Sequence, residues 1–391
     1  MATQRLRRRL VKHLVDEDVL HDPKWVEAFR GVPRHVFLPR FFTRVDAGWA
    51  AVDRDDPGWL ERVYSPDVLV TQLDDDTSRW EKARHEGPVA GVPTSSSSMP
   101  AIMAIMLEEL RVGDGQRVLE IGTGTGYNAA LLSHRCGSGL VSTVDVDAGL
   151  VATARTHLQE AGYAPACEVG DGALGFPAGV LFDRVLCTAS VSVVPPAWLE
   201  QTVPGGLVVT TLNRPLGAGL VRLVAGPGAT GHGRVLARDG RFMPLRAHRR
   251  PAPTALPPVS EVDWRTTQLP IDLLLKPRLK FEFFASLELP GVHPVRELPT
   301  GAPDPAPDPD APAGPFALTH PDGSWARFRT HDSTLQIAQG GPRGLWDLAE
   351  RALVLWESLG RPERDRFGVT VDGEHQEFWL DEPDGLRWEL A

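Results

Sequence analysis

Cysteine is scarce in this chain: Cys136, Cys167 and Cys187 are the three among 391 residues, and no CxxC spacing occurs. That excludes a disulfide framework and a cysteine zinc site, and it points to a reducing, cytoplasmic setting. No metal is expected. Long apolar runs are missing as well, since no segment approaches the roughly 18 apolar residues needed to span a bilayer, so no membrane partner is expected. Basic residues are outnumbered, 41 Lys and Arg against 51 Asp and Glu, and a net charge of -10 repels a phosphate backbone. A nucleic-acid partner is therefore disfavoured, and a small molecule or a peptide is expected. No internal repeat is present, and the length leaves room for one large domain and a smaller one.

The chain begins "MATQRLRRRLVKHLVDEDVL", a basic start followed at once by acidic residues, with Leu6, Leu10 and Leu14 at helical spacing. This predicts an ordinary first helix rather than a transit peptide. Residues 1 to about 90 read as helical and irregular. Between 117 and about 212 the short apolar runs "RVLEI", "LVSTVDV", "APACEVG", "FDRVLCTA" and "GGLVVTTL" suit buried strands, and helical stretches such as 148–161 separate them. Strands alternating with helices imply a doubly wound parallel α/β sheet. "RVLARDGRFMPL" reads as a hairpin turning at Asp239-Gly240. The proline-rich 249–259 predicts a domain boundary, dividing the chain into a first domain, 1–250, with its Rossmann-like core from about 90, and a C-terminal α+β accessory domain, 251–391. Within the latter, the stretch 299–315 is too rich in proline to pack and is expected to be an exposed loop.

The strongest chemical signal is "VLEIGTGTGYNAAL". A strand ends at Glu120, Gly122, Gly124 and Gly126 follow with single spacers, and a helix starts near Tyr127. Glycines there let a ligand approach the backbone at the carboxyl edge of the sheet. A dinucleotide fingerprint needs its third glycine three places after the second; here it comes two places after, with a carboxylate just upstream. That carboxylate repels a diphosphate but suits an amino-acid ammonium, which favours S-adenosylmethionine over NAD. Asp145, ending the second strand, is placed to accept from ribose hydroxyls, and Asp171, after the third, to meet the adenine amine, with Gly172 leaving room for the ring. Thr123, Tyr127 and Val146 complete the expected cofactor contacts.

The segments "VPRHVFLP", "SMPAIMAIMLEEL", "VLEIGTGTGYNAALLS", "TVDVD" and "GDGALG" resemble, in order and spacing, the protein-L-isoaspartate O-methyltransferases over about residues 5 to 245. The resemblance implies a Rossmann-like methyltransferase fold and esterification of an aspartyl or isoaspartyl carboxylate by S-adenosylmethionine, with S-adenosylhomocysteine as product. The family pattern Thr-Ile-Ser-Ala-Pro-His falls on the serine run 95–98. Ser98 takes the active-site serine position, Ser96 the threonine and Pro100 the proline, while Ala101 and Met103 stand where histidines are usual. No GxSxG setting is present for a hydrolase nucleophile. A carboxylate is already ionised at pH 7 and has no proton to lose, so the task left to Ser98, with Ser97 or Ser96 assisting, is orientation.

The C-terminal extension, with "DGSWAR" and "QGGPRGLWDLAE", resembles the family members that accompany ATP-grasp ligases in ribosomal peptide maturation. There an aspartate in a macrocyclised precursor is esterified, and the ester closes to an aspartimide. The implied partners are a cyclised precursor peptide and such a ligase. The alternatives are general isoaspartate repair and a non-catalytic, cofactor-binding scaffold for the ligase. Trp325, Trp346, Trp356 and Trp379 are candidate peptide contacts on the extension, with core packing as the alternative. His85 and His134 are read first as surface or core histidines.

Overall fold

The structure is a computed structural model that describes residues 2–46, 48–177, 179–249, 256, 262–276, 279–296, 316–332 and 334–390. The first helix, Ala2–Asp16, buries Leu6, Leu10, Val11 and Leu14 along one face, as the spacing predicts. Two short strands follow a second helix, Pro23–Gly31, and a 3-10 turn at Arg34–Phe37.

Those strands were not foreseen. β1 (Arg40–Val45), β2 (Gly48–Asp53), β3 (Leu69–Leu73) and β4 (Pro93–Ser97) form an antiparallel sheet in the order β2-β1-β3-β4. The first ninety residues are thus not simply helical and irregular. The strands are only five or six residues long and lack the regular polar and apolar alternation by which a strand is read. What holds them is a small local core, Phe42, Val70, Leu73, Trp80, Ala83 and Val89, with Trp80 and Ala83 supplied by the helix Arg79–Glu86. Ser95, Ser96 and Ser97 of the serine run lie in β4, Ser98 stands just beyond its end, and the helix Pro100–Glu109 follows with Pro at its first position.

Among the described residues the large sheet has ten strands. β5 (Val118–Ile121), β6 (Val141–Asp145), β7 (Ala166–Val169), β8 (Phe182–Val191) and β9 (Thr202–Asn213) are parallel, in the spatial order β7-β6-β5-β8-β9. This is the doubly wound Rossmann-like arrangement, and the strand order reverses between β5 and β8, where such sheets bind ligands. The helices Tyr127–Cys136 and Ala148–Glu160 make the crossovers. β10 (Ala218–Ala225) and β11 (Thr230–Val235) extend the sheet antiparallel beyond β9.

The hairpin expected at Asp239-Gly240 is absent. The hairpin there joins β10 to β11 through residues 226–229, closed by the Gly226 N–H donating to Thr230 O at 2.8 Å. Residues 236–245 instead run back over the carboxyl edge of the sheet. Ser190 pins them: its N–H donates to Met243 O and its carbonyl accepts from Leu245 N–H, each at 2.9 Å.

In the C-terminal segment β12 (Arg265–Thr266), β13 (His293–Arg296), β14 (Phe316–Thr319), β15 (Trp325–His331) and β16 (Thr334–Gly340) form a second antiparallel sheet. β17 (Phe367–Asp372), β18 (His375–Leu380) and β19 (Arg387–Glu389) leave it and join the large sheet at β11, from Thr230 opposite Asp372 to Arg234 opposite Gly368. One apolar core accordingly runs from Leu119 to Leu390, with Phe283 and Phe284 packed against Phe367, Phe378 and Trp388, and Phe281 against Phe284 and Trp356. The boundary expected at 249–259 falls almost wholly outside the described residues, and sheet and core both continue across it. The proline-rich 299–315 lies outside them too.

Candidate functional site

At the carboxyl ends of the parallel strands a cavity of ≈ 880 Å³ opens between the large sheet and the N-terminal sheet. Its floor is the turn after β5, where Gly122, Gly124 and Gly126 adopt φ of +97°, +51° and +87°. At Gly126 an added Cβ would stand 3.2 Å from the Ala154 Cβ, so the third glycine lets two helices close on each other. Gly172, across the cavity, has no room either: a Cβ there would lie 2.5 Å from Ile121 Cγ2.

Glu120 is fully buried beneath this turn. The parallel register sets Glu120 beside Thr143, whose hydroxyl donates to Glu120 Oε2 at 2.7 Å, while Asn128 Nδ2 donates to Oε1 at 2.7 Å. Thr143 also shares a 2.7 Å hydrogen bond with Thr123, another buried residue. Burial pushes the Glu120 carboxyl up to about 7, against the pull of Thr143 and Asn128. Asp145 is raised as well, first by burial, although it accepts from Gly124 N at 3.0 Å and Asp147 N at 3.1 Å. Each of its oxygens still has a lone pair for a ligand. Asp171 lies at the rim, one oxygen accepting from Ala173 N at 2.9 Å. Val146, exposed and apolar, lines the cavity between them. Tyr127 is buried against Phe37.

The serines divide by the alternation of a strand. Ser95 and Ser97 are buried. The Ser95 hydroxyl accepts from Thr71 at 3.2 Å, and that of Ser97 from Arg34 Nη2 at 3.4 Å. Ser96 and Ser98 are half-buried on the cavity wall, and neither hydroxyl has a hydrogen-bond partner among the described residues. Of the two residues expected to assist Ser98, Ser96 therefore has a free hydroxyl, whereas that of Ser97 is engaged.

Arg34, in the "VPRHVFLP" segment, holds this edge. Its guanidinium is wholly buried and donates to the carbonyls of Val63 (2.9 Å), Ser65 (3.1 Å), Asp67 (3.4 Å) and Ser98 (3.3 Å). Burial brings its pKa down to about 10.

Sequence reasoning missed the far wall, residues 239–249. Arg246 bridges Asp147 (2.9 Å) and Asp75 (3.0 Å), and Arg249 also donates to Asp75 at 3.0 Å. Arg249, first of all by hydrogen bonding, holds Asp75 below the usual carboxylate range. The signal was present in the arginine cluster of "PLRAHRR", whose start was read as part of a hairpin and whose end as the beginning of a domain boundary.

Several candidates lie elsewhere. Trp346, Trp356 and Trp379 are core residues, with Trp346 meeting Phe328 edge-on at 4.4 Å between ring centroids, so they offer no peptide platform; Trp325 is half-buried. His85 is exposed, bonded to Glu81 O, and His134 packs under Gly31 and bonds Tyr163 at 2.8 Å. Among the described residues no cluster suits a metal ion, and no helix is long and apolar enough to cross a membrane.

Residues 82–222 match the family described as Protein-L-isoaspartate(D-aspartate) O-methyltransferase (PCMT). A protein-L-isoaspartate O-methyltransferase of Azorhizobium caulinodans is 38% identical over 151 residues, which is 38% of this chain and 68% of the relative. The chain belongs to the protein-L-isoaspartate O-methyltransferase family. Another member, from Anaeromyxobacter dehalogenans, is 42% identical over 32% of this chain and 61% of its own length, so the chain spans about three fifths of that relative. A solved structure titled protein-L-isoaspartate O-methyltransferase shares the fold at a TM-score of 0.52 and 23% identity, covering 96% of this chain and all of its own. In overall fold, then, the C-terminal extension has a counterpart in a protein carrying the plain family title. The family cofactor is S-adenosylmethionine, and the glycine turn, the spare lone pairs of Asp145 and the close approach at Gly172 fit it.

Proposed function

We propose that this protein is an S-adenosylmethionine-dependent carboxyl O-methyltransferase acting on an aspartyl group of a peptide. One observation carries the reading: Ser96 and Ser98 present unpartnered hydroxyls to the same cavity whose floor is the glycine turn. Glu120, Asp145, Asp171 and the glycine turn would hold the cofactor, which when bound supplies an electrophilic methyl group. Ser98 donates to one oxygen of the acceptor carboxylate and leaves the other free. Because that carboxylate is ionised at neutral pH, no residue is needed to remove a proton. Met99, Ile102 and Met103 form an apolar wall beside the serines, and such a wall excludes water from the reacting groups.

The substrate of this reading is an aspartate in a macrocyclised ribosomal peptide prepared by an ATP-grasp ligase, the ester then closing to an aspartimide with loss of methanol. It is supported by Ala101 and Met103, apolar where the family pattern has histidines. The second reading, repair of isoaspartyl proteins, is favoured by the whole-chain likeness to a structure bearing the plain family title. A third, a scaffold that only binds cofactor, is opposed by the free serine hydroxyls. Mass spectrometry separates them: the protein is incubated with S-adenosylmethionine and either a cyclised precursor or an isoaspartyl peptide. Gain of one methyl group and then loss of methanol on the cyclised precursor is expected. Methylation of the isoaspartyl peptide alone would favour repair, and methylation of neither would sink both enzyme readings.

A further inference from the structure

Four arginines line the cavity: Arg44, Arg241, Arg246 and Arg249. Three are already neutralised. Arg246 and Arg249 are paired with Asp75 and Asp147, and Arg241 with Asp239 and the buried Glu282. Arg44 has no carboxylate partner among the described residues. Its guanidinium lies 5.2 Å over the indole of Trp49, its direct cross-strand neighbour. The indole is fixed in turn: its Nε1 donates to Gly91 O at 3.1 Å, and its backbone bridges Val89. Arg44 is therefore a cation held on an aromatic shelf and aimed into a cavity, in a protein whose net charge is strongly negative.

The sheet register relates this cation to the serines. Phe42 pairs with Val70, and Leu69 with Ser97. Continued along the strands, that register sets Arg44 opposite Val68 and Val68 opposite Ser98. Trp49 and Arg44 pair directly in the sheet, and Val68 and Ser98, each one residue beyond the end of its strand, prolong the same row. Val68, between Arg44 and Ser98, is 54% exposed and so open to a ligand. Two strand spacings separate Arg44 from Ser98, about 10 Å. That is too far for one carboxylate to meet both, and it equals the rise of about three residues of extended peptide.

Resting on the methyltransferase reading, we propose that Arg44 binds a second carboxylate of the peptide substrate, carried by a residue within about three positions of the methyl acceptor. The protein is then selective for acidic peptides. Trp49 fixes the guanidinium, and Val68 supports the intervening backbone.

The test uses the full chain saturated with S-adenosylhomocysteine and two fluorescein-labelled peptides. They share an aspartyl or isoaspartyl acceptor and carry either Glu or Gln two residues to each side. Anisotropy at low salt should show wild type binding the Glu peptide about fivefold more tightly, a half-buried ion pair being worth on the order of 1 kcal/mol. Raising the salt should shrink the ratio. In Arg44→Gln it should fall to about one, and in Arg44→Lys it should survive in part; S-adenosylhomocysteine affinity measured in parallel reports that each variant is folded. Equal affinity of wild type for the two peptides, absent binding included, or an undiminished ratio in Arg44→Gln, overturns the proposal. A preserved Glu preference with no methyl transfer to any peptide would count against the enzyme reading and leave the arginine assignment standing.

Discussion

Replacing Glu120 by glutamine probes a costly feature of the site. The carboxyl is wholly buried, and its folded value of about 7 stands above the ordinary 4.5 it has in an unfolded chain. The folded protein therefore binds this proton more tightly than the unfolded one. Stability contributed by the protonated form is present below about 4.5 and is lost as pH rises through about 7. At about 1.4 kcal/mol per unit, the loss is on the order of 3 kcal/mol. Glutamine cannot ionise. Its oxygen can still accept from Asn128, and its amide can donate to Thr143, which turns its own proton toward Thr123. E120Q should match wild type or fall below it near pH 5, and exceed it near pH 8 by up to about 3 kcal/mol, measured by urea unfolding at each pH. Glu282, also buried and pushed up to about 7, gives both proteins the same slope and cancels in the difference. Cofactor binding should act in the opposite direction, because an ammonium brought to Glu120 favours the ionised form. Wild-type affinity for S-adenosylhomocysteine should then rise between about pH 6 and 8, with a buffer-dependent heat from the released proton. Parallel stability profiles for the two proteins, or an unchanged pH dependence of cofactor affinity in E120Q, would refute the reasoning.

Ser98→Ala should lower kcat by roughly tenfold to a hundredfold, the worth of a hydrogen bond to a charged group, while calorimetry finds the same affinity for S-adenosylhomocysteine. Gly172→Ala drives a methyl into Ile121 Cγ2, so its midpoint in urea should drop by the equivalent of about 1–3 kcal/mol, with weaker cofactor binding in the same samples. Arg34→Met leaves the carbonyls of Val63, Ser65, Asp67 and Ser98 without their donor; a loss on the order of 3 kcal/mol is expected, with hydrogen exchange accelerated first in β4.

The parallel sheet was legible because its strands are short apolar runs alternating with helical stretches up to β9, a pattern that survives without any knowledge of neighbours. The glycine turn was legible for the same reason: its spacing, and the acid before it, are local. The N-terminal sheet was not. Its strands are short and show no regular alternation of polar and apolar residues, and only pairing with one another and the small core around Trp80 makes them strands. The three buried tryptophans illustrate the converse, since a large aromatic reads alike in a core and on a binding face until its neighbours are known.

Sequence alone determined the doubly wound core, the strand-end acids Glu120, Asp145 and Asp171, and the resemblance that singled out Ser98, all of which depend on residues close together in the chain. Tertiary structure decided which serine hydroxyls are free, because Ser97 is engaged by an arginine 63 positions away. It also decided that 239–249 walls the cavity and that the last strands complete the large sheet, since both depend on pairings between distant segments. That Arg44 has no carboxylate partner among the described residues is of this kind too. Whether a cation is free depends on which carboxylates come within reach, and chain order does not set that distance.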